Sequence, residues 1–168
     1  MLDTNYYIPT ELSTNVRYGE IGPNGFITPK AMANLLQEVA GLSADSLGFG
    51  EQGMFAYGLT WVLSRLVLRI KRLPTAGESL KINSWPSKMD RFGYRGYEVF
   101  DQAGGMIVSG GSAWAIMDLA TRRLASAPSE LIENYPKNPR PCDEFTCRVL
   151  PNLNPKPEEE NRLLQAAL

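Results

Sequence analysis

Histidine occurs nowhere in the 168 residues. The side chain most often used as a general base near neutral pH is therefore missing. Every Ser-His, Cys-His or His-metal arrangement goes with it. Cysteine is scarce, with only Cys142 and Cys147. On an extended chain these lie about 16 Å apart, beyond the reach of a mutual disulfide. Free thiols in a reducing compartment are the simpler reading. No apolar run approaches the roughly 20 residues needed to span a bilayer. The first residues, MLDTNYYIPTEL, have neither a basic nor an apolar leader region, so no secretory signal and a cytoplasmic location are expected. An excess of either charge is also lacking, since the net charge is −1, and no nucleic-acid footprint is expected.

What remains is ordinary for a globular protein: 43% hydrophobic and 21% charged residues. A chain this long buries roughly 70% of its unfolded surface and needs no covalent staples. Residues 11–18 read as a short strand, and GEIGPNG at 19–25 as a turn dense in Gly, Pro and Asn. A helix should follow, capped by Thr28 with Pro29 in its first position. Met32, Leu35, Leu36, Val39, Ala40 and Ser43 recur at the helical period, and Gly48 is a plausible stop. The breadth of that stripe implies packing against a sheet.

The rest reads as β. In residues 59–72 the even positions Val62, Ser64, Leu66, Leu68 and Ile70 alternate with Arg65, Arg69 and Lys71, as for a long strand with one core face. Further strands are expected at 80–86, at the aromatic-rich 92–100 and at 106–119, with a hairpin turn at 101–105. Gly110 and Gly111 would let the last of these bend or admit a close neighbour. A sixth strand is a candidate at 144–150, before a tail with a short helix. Residues 1–140 are expected to form one domain, and 141–168 a linker, strand and short helix. Periodicity alone supports an α+β class with an antiparallel sheet.

Three stretches carry more. They are LLQEVAGLSADSLGFG at 35–50, LTWVLSRLVLRIKRLPTAGESLKINSWPS at 59–87 and SAWAIMDLATRRLASAPSEL at 112–131. A tryptophan on an Arg-bearing strand, then P-x-x-G-E, then W-x-x-M-D-x-x-T-R-R running on to a proline, resembles the acyl-acyl carrier protein thioesterase family. The likeness spans about residues 10–135 and is to the first of that family's two hotdog domains, in which an antiparallel sheet wraps a long helix. It implies hydrolysis of carrier-bound fatty acyl thioesters, with no metal or cofactor. The family's chemistry is assigned to its second domain, at a D-x-D-x-N-x-H-type turn. Laid over RYGEIGPNGFIT, that pattern puts Glu20 on the first Asp, Gly22 on the second, Asn24 on the Asn and Phe26 on the His. One of the four residue types is kept, as in a non-catalytic copy. The resemblance leaves two alternatives: a non-catalytic acyl- or carrier-binding subunit, or another carrier-bound acyl reaction such as dehydration or isomerisation.

Each candidate residue has a functional and a structural reading. Asn24 and Gly25, ahead of the helix, would polarise a thioester carbonyl through helix-terminus donors, or would simply make a turn. Glu38 is the best carboxylate for a base if the domain acts alone; otherwise it faces solvent. Trp61, Ser64, Trp85, Trp114 and Met117 would line an acyl tunnel, or serve as core. Arg65, Arg69, Arg122 and Arg123 would meet an acidic carrier protein, or lie on a solvated face, as would Arg91 and Arg95. An acyl-CoA substrate is the alternative to a carrier. A lone hotdog exposes a sheet edge, so a homodimer, or a heterodimer with another hotdog domain, is expected.

Overall fold

The structure, a computed structural model, describes residues 7–142. The chain runs through β1 (Thr10–Asn15), a single 3-10 turn (Tyr18–Glu20), α1 (Pro29–Ser46), α2 (Glu51–Ala56), β2 (Leu59–Ile70), β3 (Ser79–Met89), β4 (Gly93–Asp101), β5 (Met106–Asp118) and α3 (Ser129–Glu133). The five strands form one antiparallel sheet in the order β1-β3-β4-β5-β2. The candidate strand at 144–150, the tail helix and Cys147 lie outside the described residues.

The start of α1 follows from its sequence. The Thr28 hydroxyl accepts a hydrogen bond from the Ala31 amide at 3.1 Å, and Pro29 opens the helix, where its missing N–H goes unneeded. After the last turn Gly48 takes φ +77°, a left-handed conformation that a Cβ would strain. Between these ends Met32, Leu35, Leu36 and Val39 are buried on one stripe. They pack on Leu80, Ile82, Tyr97, Val99, Ile107 and Val108, the inner face of the sheet. A long helix seated on one face of an antiparallel sheet is the hotdog arrangement that the resemblance implies.

β2 departs from the expected alternation. Leu63 pairs with Trp114 while Arg65 pairs with Ala113, so Ser64 is an extra residue with no partner opposite. Such a bulge switches which parity faces the core. Before it Leu59 and Trp61 face inward; after it Leu66 and Leu68 do. The even positions expected inward throughout are therefore split, and Val62 and Ser64 are exposed. The close neighbour expected at Gly110 is present: a Cβ there would stand 2.6 Å from the Val67 carbonyl oxygen of β2.

A second, smaller core closes one end. Phe49, Met54, Leu59, Ile116 and Leu131 meet there, with Trp61, Met89 and Tyr135 against them. α2 has no counterpart in the sequence reading, because six residues are too few to display a period. On the outer face the chain after α3 crosses the sheet. The Arg140 guanidinium lies 4.1 Å from the Trp85 ring centroid and pairs with the Glu98 carboxylate.

Candidate active site and acyl cavity

The inner face of the sheet is not uniform. Under the first turns of α1 it is apolar and closed. Under the last turns the helix presents small residues, Ala40, Gly41 and Ala44, and a cavity of about 440 Å³ opens between them and the strands. Trp61 of β2, Met89 of β3, Arg95 of β4 and Trp114 of β5 line it, with Phe49 and Tyr135 at the end held by the second core. This is the size and wall chemistry of a site for a small apolar ligand. A larger hollow of about 690 Å³ runs along β1, β3 and the β4–β5 turn, but Ser13, Asn15, Lys81, Asn83 and Gln102 make it an open polar groove. The aromatic-walled cavity, the more sheltered of the two, is the better candidate.

The cavity's rings are held by hydrogen bonds. The Trp61 indole N–H donates to the Phe49 carbonyl at 2.8 Å, tying β2 to the segment after α1. The Trp114 indole N–H donates to the Ser112 hydroxyl at 2.7 Å. That hydroxyl also lies 2.8 Å from the buried Tyr97 hydroxyl. Burial is the main influence raising the Tyr97 pKa, so the phenol stays protonated. Beside this cluster the Arg95 guanidinium donates through Nη1 to the buried Ser84 hydroxyl at 3.1 Å. Desolvation holds its pKa below the usual arginine value. No carboxylate among the described residues comes within ion-pair distance of it. Burial also raises the Tyr135 pKa, and its hydroxyl has no hydrogen-bond partner.

The structure brings Trp61 and Trp114 together at the cavity and places the other candidates elsewhere. Ser64 sits in the bulge, exposed and outside the cavity. Trp85 is buried, but strand alternation puts it on the face opposite Ile82 and Ser84, under Arg140. There it lies so close to Gly96 that a Cβ on that residue would stand 2.4 Å from the ring. Met117 points away from Trp114 and Ile116 and does not line the cavity. Glu38 is exposed on α1, and neighbouring Gln37 reaches the cavity rim instead.

Asn24 is exposed, and its side-chain oxygen accepts the Phe26 amide at 3.2 Å. Gly25 takes φ +83° and donates to the Gly22 carbonyl at 3.0 Å. The Ile27, Thr28 and Ala31 amides are likewise bonded within the protein. These donors are thus already engaged within the protein. Glu20, over the first Asp of the catalytic pattern, accepts the Arg17 amide at 2.8 Å.

The arginines do not form one cluster. Arg65 and Arg69 project from the outer face of β2. Arg122, at φ +56°, and Arg123 sit exposed just after β5. That loop is opposite Leu59, about 33 Å along β2 from Arg69.

Sequence reasoning missed Arg95 as a cavity residue, grouping it with surface cations. The available signal was its phase, which it shares with Tyr97 and Val99 on an aromatic strand. Phe49, Met89 and Tyr135 were missed because they arrive from separate elements.

An antiparallel sheet wrapped on one long helix defines a hotdog domain. The model of the acyl-ACP thioesterase N-terminal domain matches residues 10–135, and the chain belongs to that family. It is 30% identical over 160 residues to the chloroplastic palmitoyl-acyl carrier protein thioesterase of Cuphea hookeriana, covering 88% of this chain and 38% of that protein. It is 34% identical over 137 residues to the oleoyl counterpart of Coriandrum sativum, covering 74% and 37%. Among solved structures, an acyl-ACP thioesterase from Bacteroides thetaiotaomicron superposes with a TM-score of 0.71 at 27% identity, covering 88% of this chain and 57% of that one. The chain thus spans well under half the length of these curated relatives. No helix of the described residues is long and apolar enough to cross a membrane.

Proposed function

We propose that this chain is the acyl-holding half of a thioesterase acting on fatty acyl groups carried by an acyl carrier protein. The observation that carries the reading is the cavity between Ala40, Ala44 and the rings of Trp61 and Trp114. A thioester is hydrolysed when activated water attacks its carbonyl carbon. The tetrahedral oxyanion then collapses, expelling the carrier's thiol and leaving a fatty acid. Activation needs a base, and here the aligned positions hold Gly22 and Phe26 while Glu38 is solvent-exposed. Water activation is therefore supplied by a second hotdog domain. Arg122 and Arg123 stand at the cavity's end of the sheet and are the better-placed pair to meet an acidic carrier.

The test is steady-state hydrolysis of a carrier-linked acyl series by the purified chain, with Glu38→Gln alongside. We expect acyl binding with little or no turnover. Positioned general-base catalysis supplies about 10²–10⁴-fold, and its absence should be plain. Strong turnover abolished by Glu38→Gln would overturn the division of labour and make Glu38 the base.

Assembly is part of the same reading. β2 is a twelve-residue edge strand, and Val62 and Ile70 are exposed along it. An edge that long invites a partner, so we expect a homodimer or a heterodimer with another hotdog. A stable monomer in light scattering at micromolar concentration would contradict this. The cytoplasm is our reading of the compartment, resting on two cysteines unsuited to a mutual disulfide; the named plant relatives are chloroplastic.

A further inference from the structure

Arg95 is a cation with no carboxylate partner among the described residues. Its side chain lines the cavity and uses one of its five donors, on the Ser84 hydroxyl. Glu51, the carboxylate among the lining residues, is exposed and does not pair with it. From a different part of the chain Tyr135 lines the same space, and its buried hydroxyl has no hydrogen-bond partner among the described residues. Unmet polar groups in a desolvated setting are costly, and two of them at one cavity, of matching hydrogen-bond sense, are complementary to a ligand oxygen. Ala40, Ala44, Phe49, Trp61, Met89 and Trp114 make much of the remaining wall apolar, with Gln37, Glu51 and Thr60 also among its residues. A planar guanidinium with open N–H groups suits a carboxylate above other anions carried on such a chain.

We propose that the cavity is a binding site for an aliphatic chain bearing a carboxylate, whose oxygens take the open N–H groups of Arg95 and the hydroxyl of Tyr135. The proposal rests on the acyl-holding reading and deepens it by naming a polar end group. Two sources share this chemistry. One is a free fatty acid entering head first. The other is the terminal carboxyl of a dicarboxylic acyl chain still joined to its thiol.

Binding to the full chain is measured by calorimetry for laurate, lauryl alcohol, lauroyl-pantetheine and the analogue of that thioester carrying a carboxyl at its chain end. Laurate should bind about ten-fold or more tighter than the alcohol, as charge-assisted hydrogen bonds require. Arg95→Met should weaken laurate far more than the alcohol and bring the two to similar affinities. Tyr135→Phe, the milder change, should weaken laurate a few-fold (about two- to ten-fold) and serves if Arg95→Met does not fold. If the carboxyl-ended thioester also outbinds lauroyl-pantetheine, the source is the dicarboxylic chain; if the two thioesters match, it is the free acid. Laurate and alcohol binding equally, or a laurate preference that survives the variants, would overturn the proposal and leave acyl holding intact. Failure of every chain to bind would remove both.

Discussion

The two ends of the space beneath α1 are built from the same helix and the same strands, yet they differ in kind. Under Met32, Leu35, Leu36 and Val39 the sheet offers Leu80, Ile82, Val99 and Val108, and all eight side chains are buried in one cluster. Under Ala40 and Ala44 it offers Ser84, Arg95, Ser112 and Trp114, and a cavity remains. Their arginines differ in the same sense. Arg72, just beyond β2 at the closed end, is exposed and bonded to two carboxylates, Glu78 at 2.8 Å and Asp101 at 3.0 Å. Arg95 at the open end is half-buried and has a hydroxyl. One end stores the stability of the fold, and the other gives some of it up for a hole with a charge in it. That division is what a binding domain requires, because a fully packed interior has no room for a guest.

Leu36→Ala should break the closed end and spare the open one. A fully buried leucine lost to alanine costs about 2–5 kcal/mol, from lost transfer energy plus the cavity left behind. Urea unfolding should show that loss, while acyl affinity per folded molecule stays unchanged. An equal fall in affinity would mean that the two ends are coupled through α1.

Ala44→Phe asks the reverse question. The new ring would occupy space that is already empty, so stability should move by no more than about 1 kcal/mol. Binding of a medium-length chain should fall about ten-fold or more. Undiminished binding would put the acyl chain somewhere other than this cavity. Ala44 is a better place for the test than Ser64 or Ala113. Ser64 is exposed in its bulge, and Ala113 pairs with Tyr94 and Arg65 in the outward phase of β5.

The same contrast explains what the sequence discloses. The closed end is legible because it is made by one period within one element: Thr28, Pro29 and the stripe from Met32 to Ser43 foretell α1 to within a residue or two. The resemblance carried by 35–50, 59–87 and 112–131 then supplies the sheet's wrapping, which periodicity cannot. The open end is assembled from seven separate segments, and no local pattern announces a cavity formed by what is small. The bulge is hidden for a related reason. Ser64 fits an apolar-polar alternation equally well in or out, and only pairing with β5 decides it. Trp85 shows the limit of composition, since a buried tryptophan was expected to face the helix and instead fills the outer face against Gly96.

The smallest expected effect concerns the two arginines and acid. Asp101 and Glu78 both titrate below the usual carboxylate range. For Asp101 the first cause is the hydrogen bond from Arg72; for Glu78 it is the backbone amide of Thr75, with Arg72 behind it. A carboxylate whose folded pKa is depressed adds stability that is fully present above its unfolded pKa, about 4. That stability is lost as pH falls toward and through the folded pKa. Arg72→Met should therefore lower the urea midpoint by a constant amount from neutral pH down to about pH 5, and the gap to the parent should close below about pH 4. Most of the closing belongs to Asp101, because Glu78 keeps its bond to Thr75 at 2.7 Å. Exposure and salt make the gap small, so low ionic strength is the condition in which to see it. Arg95→Met should behave differently. No carboxylate among the described residues is tied to Arg95, so its midpoint should run parallel to the parent's through the acid range. Parallel curves for Arg72→Met, or a closing gap for Arg95→Met, would show that the two cations do not divide the sheet as their contacts say they do.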